Sequence, residues 1–192
     1  MAEMNGALRT ILFDPLSYLH PERLSLPPAL SSPEGRRVVN DMLLAGYGLS
    51  TDWMPSPDDR SHRWWLESWR HLPQAAYLMG CQLRRAALAE RGAILSLPGW
   101  AKSFAALSIA DADGAAMGEN LPGHDGLLLA GYGQLLAWRA RMPEALRQRL
   151  PLLFPSWVDA NARAPSRPDT LLLTLALQYA KRHPHFPPSG RD

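Results

Sequence analysis

Cysteine and lysine are nearly missing from this chain. Cys81 is the single cysteine, so no intramolecular disulfide can form. Lys102 and Lys181 are the only lysines, and the other basic residues are all arginine. Arginine's planar fork matches carboxylates at interfaces, although codon composition is the plainer account of the bias. Charge of one sign is also lacking, with 20 basic against 18 acidic residues and a formal net charge of +2. That balance argues against a nucleic-acid binder, whose phosphate contacts call for a basic stripe. Long apolar runs are absent too. The greasiest stretches, near Leu127 and Leu171, fall short of the ~18 residues of a spanning helix. The N-terminal "MAEMNGALRTILFD" carries no signal-peptide pattern. Together these absences predict a soluble cytoplasmic protein without direct membrane insertion.

What is present is a foldable composition of 46% hydrophobic residues, in a chain of one-domain length. Helix signals recur and strand signals do not. Asp14–Pro15 and Ser32–Pro33 each place a capping residue before a proline suited to the first helical position. "SHRWWLESWRHL" sets Trp65 and Trp69 four residues apart, on one helical face. In "PQAAYLMGCQLRRAALAERG", Ala76, Met79, Leu83, Ala86 and Ala87 recur at helical spacing, and Gly92 stands where the helix would stop. Shorter helices are predicted at "PGWAKSF" and "PEALRQRL", and longer ones at "GHDGLLLAGYGQLLAWRARM" and "DTLLLTLALQYAKRH". The stretch "PLLFPSWVDANARAPSRP" reads as irregular. The prediction is an all-α protein, a single irregular bundle of about seven or eight helices over residues 1–192, with residues 183–192 a flexible tail.

One hexapeptide, Leu-Leu-Ala-Gly-Tyr-Gly, occurs twice, at residues 43–48 and 128–133. A dinucleotide fingerprint would need a third glycine three positions further on, where Thr51 and Leu136 stand, and a strand before the first. The likeness stops soon after Trp53 and Trp138, which argues against a duplication. Packing is the remaining explanation. Gly46 and Gly48 precede polar turn residues and predict a helix end. Gly131 and Gly133 precede "QLLAW" and predict a close helix contact. Tyr47 and Tyr132 are then expected at the core edge.

Catalytic and cofactor chemistry finds no foothold. Cys81 falls within an apolar helical stretch, where a buried thiol is the commoner outcome. There is no nucleophile elbow, no phosphate loop and no His-Glu-x-x-His. His183 and His185 alone do not close a zinc site, and His124–Asp125 reads as a helix start capped by Asp125. Asp58–Asp59, Asp111 and Asp113 lie in turn sequences. The sequence therefore points to no catalytic, cofactor or metal residue. Its richest patch is "RSHRWWLESWRH", where Arg60, Arg63, Arg70 and His71 accompany Trp64, Trp65 and Trp69. Tryptophan and arginine are favoured hot-spot residues. The plainer alternative gives two indoles to the core.

Four segments in this order, "FDPLSYLHPERL", "MLLAGYGLSTDW", "LMGCQLRRAALAERGAIL" and "LRQRLPLLFPSW", resemble the SctK family of type III secretion proteins (the YscK/PscK group). Pro15, Tyr18, Leu19 and His20 match the family's early Pro-x-x-Tyr-Leu-His pattern, and Arg84–Arg85 match its later Arg-Arg. The short, proline-rich C-terminus departs from it. The resemblance implies a non-enzymatic cytosolic adaptor, monomeric alone, with no cofactor. It would link the cytoplasmic domain of the inner-membrane ring protein SctD to the pod protein SctQ of the sorting platform. The expected contacts are Arg60, Arg63, Trp65, Trp69 and Arg70 for one partner, and the segment holding Tyr18 and His20 for the other. The rival expectation is a small helical enzyme or ligand binder with a pocket near the Trp-rich segment. A secretion chaperone fits less well, since those are acidic and strand-bearing.

Overall fold

The computed structural model describes residues 2–55, 59–90, 92–107, 109, 123–164 and 168–188. Asp58, Asp111 and Asp113 lie outside them. The described residues form helices and 3-10 turns and contain no strand, as the periodicity predicts. In chain order the helices are α1 (Ala2–Phe13), α2 (Pro33–Gly46), α3 (Arg60–Ser68), α4 (Leu72–Leu83) and α5 (Arg85–Glu90). They continue with α6 (Gly99–Ala105), α7 (Gly123–Trp138), α8 (Glu144–Arg149), α9 (Ser156–Asn161) and α10 (Thr170–Arg182).

Several ends follow the capping chemistry read from the sequence. Ser32 Oγ accepts from the Gly35 amide at the start of α2. Asp169 Oδ1 accepts from the Leu172 amide at the start of α10, and Lys181 and Arg182 face its negative end. Other expectations are corrected. Helix α1 has no counterpart among the sequence expectations. Asp14 does not cap the Pro15–Ser17 turn with its side chain; it accepts a bond from Asn40 instead. The helix expected over residues 73–92 breaks at Arg84, which has φ −106° and ψ 16°. Ala86 and Ala87, expected on its buried face, are exposed, because α5 leaves the core. The stretch expected to be irregular holds the Leu150–Leu153 turn and α9. Asp125 sits inside the first turn of α7, not at its cap.

The chain divides into two compact units, each drawn from two stretches. Unit 1 comprises Met1–Arg70 and Ala140–Ala160; unit 2 comprises His71–Arg139 and Asn161–Asp192. In unit 2, α4 is the central element and packs against α7, α10 and α6. Residues Gln74 to Gln82 of α4 are all buried, as a helix apolar on every side must be. Its two buried carboxamides, Gln74 and Gln82, both donate to backbone carbonyls, while the buried Gln82 Oε1 accepts no bond among the described residues. Gln82 Nε2 donates to the carbonyls of Phe104 (2.6 Å) and Leu107 (2.9 Å).

Gln74 reads the backbone of the C-terminal segment. Its Nε2 donates to the His183 carbonyl (2.7 Å), and its Oε1 accepts from the His185 amide (2.9 Å). The His185 ring stacks on Trp100 at 5.3 Å, and the Tyr179 hydroxyl donates to the Trp100 carbonyl. Of the expected flexible tail, residues 183–185 are thus tied to unit 2 by a carboxamide acting like a strand edge. Gln74→Ala removes both bonds and leaves two backbone groups without partners. It should lower stability by about 1–3 kcal/mol and speed amide exchange at His185. Unchanged exchange at that amide would contradict the clamp.

The doubled hexapeptide does two jobs. In the first copy α2 ends at Gly46, and Gly48 takes φ +58°. The Gly48 amide donates to the Ala45 carbonyl and the Leu49 amide to the Leu44 carbonyl, the paired bonds of a left-handed helix stop. In the second copy the sequence runs on through α7. A Cβ on Gly131 would fall on the Ala76 carbonyl oxygen of α4, and one on Gly80 would fall on the Leu127 carbonyl of α7. Gly133 faces the Arg163 carbonyl, 2.6 Å from where its Cβ would stand. The expectations for Gly46, Gly48, Gly131 and Gly133 agree with this; Gly80 is an addition to them. Tyr132 is buried, but Tyr47 lies largely exposed past the end of α2 rather than at the core edge.

Candidate interaction surface

The Trp-rich segment folds as α3 because Asp59 Oδ1 accepts from the amides of Ser61 and His62. Its period then places Trp65 and Trp69 on one face, and that face is the buried one. Trp65 is 2% and Trp69 1% exposed. Trp64 packs edge-on against Trp65, and Tyr18 edge-on against Trp69 at 5.7 Å. Both predicted contact indoles are therefore core residues of unit 1, since two rings of that size supply the unit's interior. Arg60, Arg63 and Arg70 stand exposed on the surface of the same segment.

Tyr18 and His20 are half-buried and serve the backbone. The Tyr18 hydroxyl donates to the Ile11 carbonyl (2.9 Å), and burial pushes its pKa up to about 12 against the pull of nearby Arg149. The His20 amide donates to the Leu152 carbonyl, and its ring nitrogen accepts from the Glu22 amide. Burial lowers the His20 pKa, with Glu22 opposing. Tyr18 thus holds the 15–23 turns to the end of α1, and the His20 amide holds them to the chain at residue 152. Arg23 continues this work. It donates to the Phe154 carbonyl (2.6 Å) and pairs with Asp159.

At the centre of unit 1 is Arg149, a residue that no sequence pattern singles out. It is 0% exposed. Its guanidinium donates to the carbonyls of Ile11 (3.0 Å), Leu12 (2.9 Å), Ser50 (2.8 Å) and Ala145 (3.0 Å). Ile11 and Leu12 belong to the last turn of α1, whose carbonyls have no helical partner and carry the negative end of the dipole. One cation thus ties α1, the chain after α2, and α8. Burial lowers its pKa from the ordinary value, with Tyr18 opposing; arginine remains charged nonetheless.

Groups with reactive side chains are built into the packing. Cys81 is fully buried and burial pushes its thiol to about 12, which disfavours the thiolate. His124 Nδ1 lies 2.6 Å from the Tyr77 hydroxyl. Among the described residues, no cluster of His, Cys, Asp and Glu could hold a metal ion. An open depression of about 450 Å³ in unit 1 is lined by Phe13, Asp14, Arg36, Arg37, Asn40 and Asp41, among others; no tryptophan lines it. The pocket expected beside the Trp-rich segment is therefore not this one. No described helix is long and apolar enough to cross a membrane.

The outward side of α2 is different. Val38 is 55% and Met42 66% exposed, and Ala45 is exposed beyond them.

Comparison with known proteins agrees with an assembly component. The family model described as bacterial type III secretion apparatus protein (OrgA_MxiK) matches residues 8–182. The oxygen-regulated invasion protein OrgA of Salmonella typhimurium is 40% identical over 180 residues, covering 93% of this chain and 89% of its own. Protein MxiK of Shigella flexneri is 26% identical over 188 residues, covering 95% of each. The putative uncharacterized protein YgeO of Escherichia coli is 28% identical over 119 residues, covering 62% of this chain and 84% of its own. No solved structure matches.

Proposed function

The chain belongs to the OrgA_MxiK family of type III secretion apparatus proteins, the SctK group, and from that premise we propose a non-enzymatic adaptor. It links the cytoplasmic domain of the SctD-like ring protein to the SctQ-like pod protein of the sorting platform. It works at the cytoplasmic face of the inner membrane, held there through these partners, and is monomeric when alone. The observation that carries this reading is the family match across residues 8–182. It is supported by the way Tyr18, Cys81, Arg149 and His124 are each engaged in packing or backbone bonds.

Capture of the tagged chain from its native cell, with and without the secretion operon, tests the proposal. Ring and pod components should co-isolate only when the operon is present. Their absence in both preparations overturns the adaptor.

One contact face is assigned to the exposed arginines of the α3 segment. Arg60→Glu, Arg63→Glu and Arg70→Glu combined should reduce recovery of one of the two components by about tenfold or more. Melting curves recorded alongside should show a folded variant, so that lost recovery reports lost contact. Full recovery of both components would remove this face.

A further inference from the structure

We propose that the outward face of α2 docks a basic amphipathic helix of a partner protein. Val38, Met42 and Ala45 are spaced four and then three residues apart, the spacing of a helix-pairing seam. All three are exposed, and Val38 and Met42 are more than half so. The opposite side of α2 is already used: Val39 and Asn40 are buried, and Asn40 bonds the Leu16 amide and Asp14. The seam is therefore surplus to the packing of unit 1. Solitary exposed apolar residues are ordinary; a spaced row along one helix is a recognition pattern.

Charge selects the occupant. Glu34 and Asp41, seven residues apart, run beside the seam on its solvent side and are exposed. Arg37, exposed between them, offsets part of their charge and leaves that flank net acidic. Each carboxylate falls in the position that faces a partner's flanking charges in a helix pair. Arginine or lysine on an incoming helix would meet both. A second copy of α2 fits poorly. Antiparallel pairing sets these carboxylates against their own equivalents, and parallel pairing sets them against Val39 and Gly46. Anionic surfaces are disfavoured by the same two carboxylates. The inference deepens the adaptor reading and rests on it only for its biological setting.

The full chain is titrated with two labelled helical peptides a few heptads long, with leucine seams and either arginine or glutamate alongside. Fluorescence anisotropy should show the arginine peptide binding and the glutamate peptide failing to bind. Met42→Asp should weaken the arginine peptide by about tenfold or more. Glu34→Arg with Asp41→Arg should reverse the preference. Met42→Asp and Asp41→Arg should leave the melting curve near that of the wild type, since those side chains are exposed, while Glu34→Arg sets a cation in the first turn of α2 and should lower the melting temperature slightly without unfolding the chain. Arginine-peptide binding indifferent to Met42→Asp, or a preference unmoved by charge reversal, overturns the proposal. So does a wild-type dimer in sedimentation that Met42→Asp dissolves, which would assign the seam to a second copy. Co-isolation of ring and pod is read separately, so loss of the adaptor reading and loss of this helix face are distinguishable.

Discussion

Gly131→Ala should destabilise unit 2 by about 3 kcal/mol or more, while Gly46→Ala, in an identical hexapeptide, should stay within about 0.5 kcal/mol of the parent. The added methyl at 131 lands on the Ala76 carbonyl oxygen, with the Gly80 amide nitrogen 2.9 Å away. The obstacle is backbone, so no side chain can turn aside. Relief requires α4 and α7 to separate, and these two helices form the most extensive contact in the unit. Loss of that contact exposes apolar surface along α4, whose residues from Leu72 through Cys81 are nearly all buried. At Gly46 nothing stands within 4 Å of the place a methyl would take, and the φ is ordinary. Denaturant midpoints of the two variants provide the measurement. Equal midpoints would mean that α4 and α7 are not in backbone contact. Gly80→Ala should behave like Gly131→Ala, because it meets the Leu127 carbonyl from the other side.

Arg149→Met should cost about 3–4 kcal/mol, the other large effect. The apolar replacement fills much of the volume but satisfies none of the four carbonyls. The Ile11 and Leu12 carbonyls lose both a donor and the positive charge that suits the end of α1. Ile11 retains the Tyr18 hydroxyl, so Tyr18→Phe combined with Arg149→Met should lose more than Arg149→Met alone. Arg149→Lys keeps the charge but not the planar fork, and should fall between the parent and Arg149→Met. Urea unfolding of the three variants checks the order. If Arg149→Lys matched the parent, charge alone would explain the residue and the fork geometry would be irrelevant.

Local chemistry is legible where it is local. Ser32 and Asp169 cap their helices as their sequence context dictates, since a cap needs only a side-chain oxygen and an amide three residues on. The helical period places Trp65 and Trp69 on one face, but period alone does not say whether that face meets the core or a partner. Tyr18 and His20 match a family pattern, and only the folded chain reveals them bonding to backbone near residues 11, 22 and 152. The break at Arg84 has no sequence signal, because the apolar spacing runs through it unchanged.

By itself, the sequence determined the helical class, most helix positions, the stop at Gly48, and the kinship carried by ordered segments such as "FDPLSYLHPERL" and "LRQRLPLLFPSW". These depend on near neighbours or on residue order, which a chain displays before it folds. Tertiary structure alone decided that Arg149 is a buried hub, that Gly80 belongs with Gly131, and that α2 leaves Val38 and Met42 uncovered. Each of those depends on which distant atoms arrive beside a residue, and long-range proximity leaves no periodic trace along the chain.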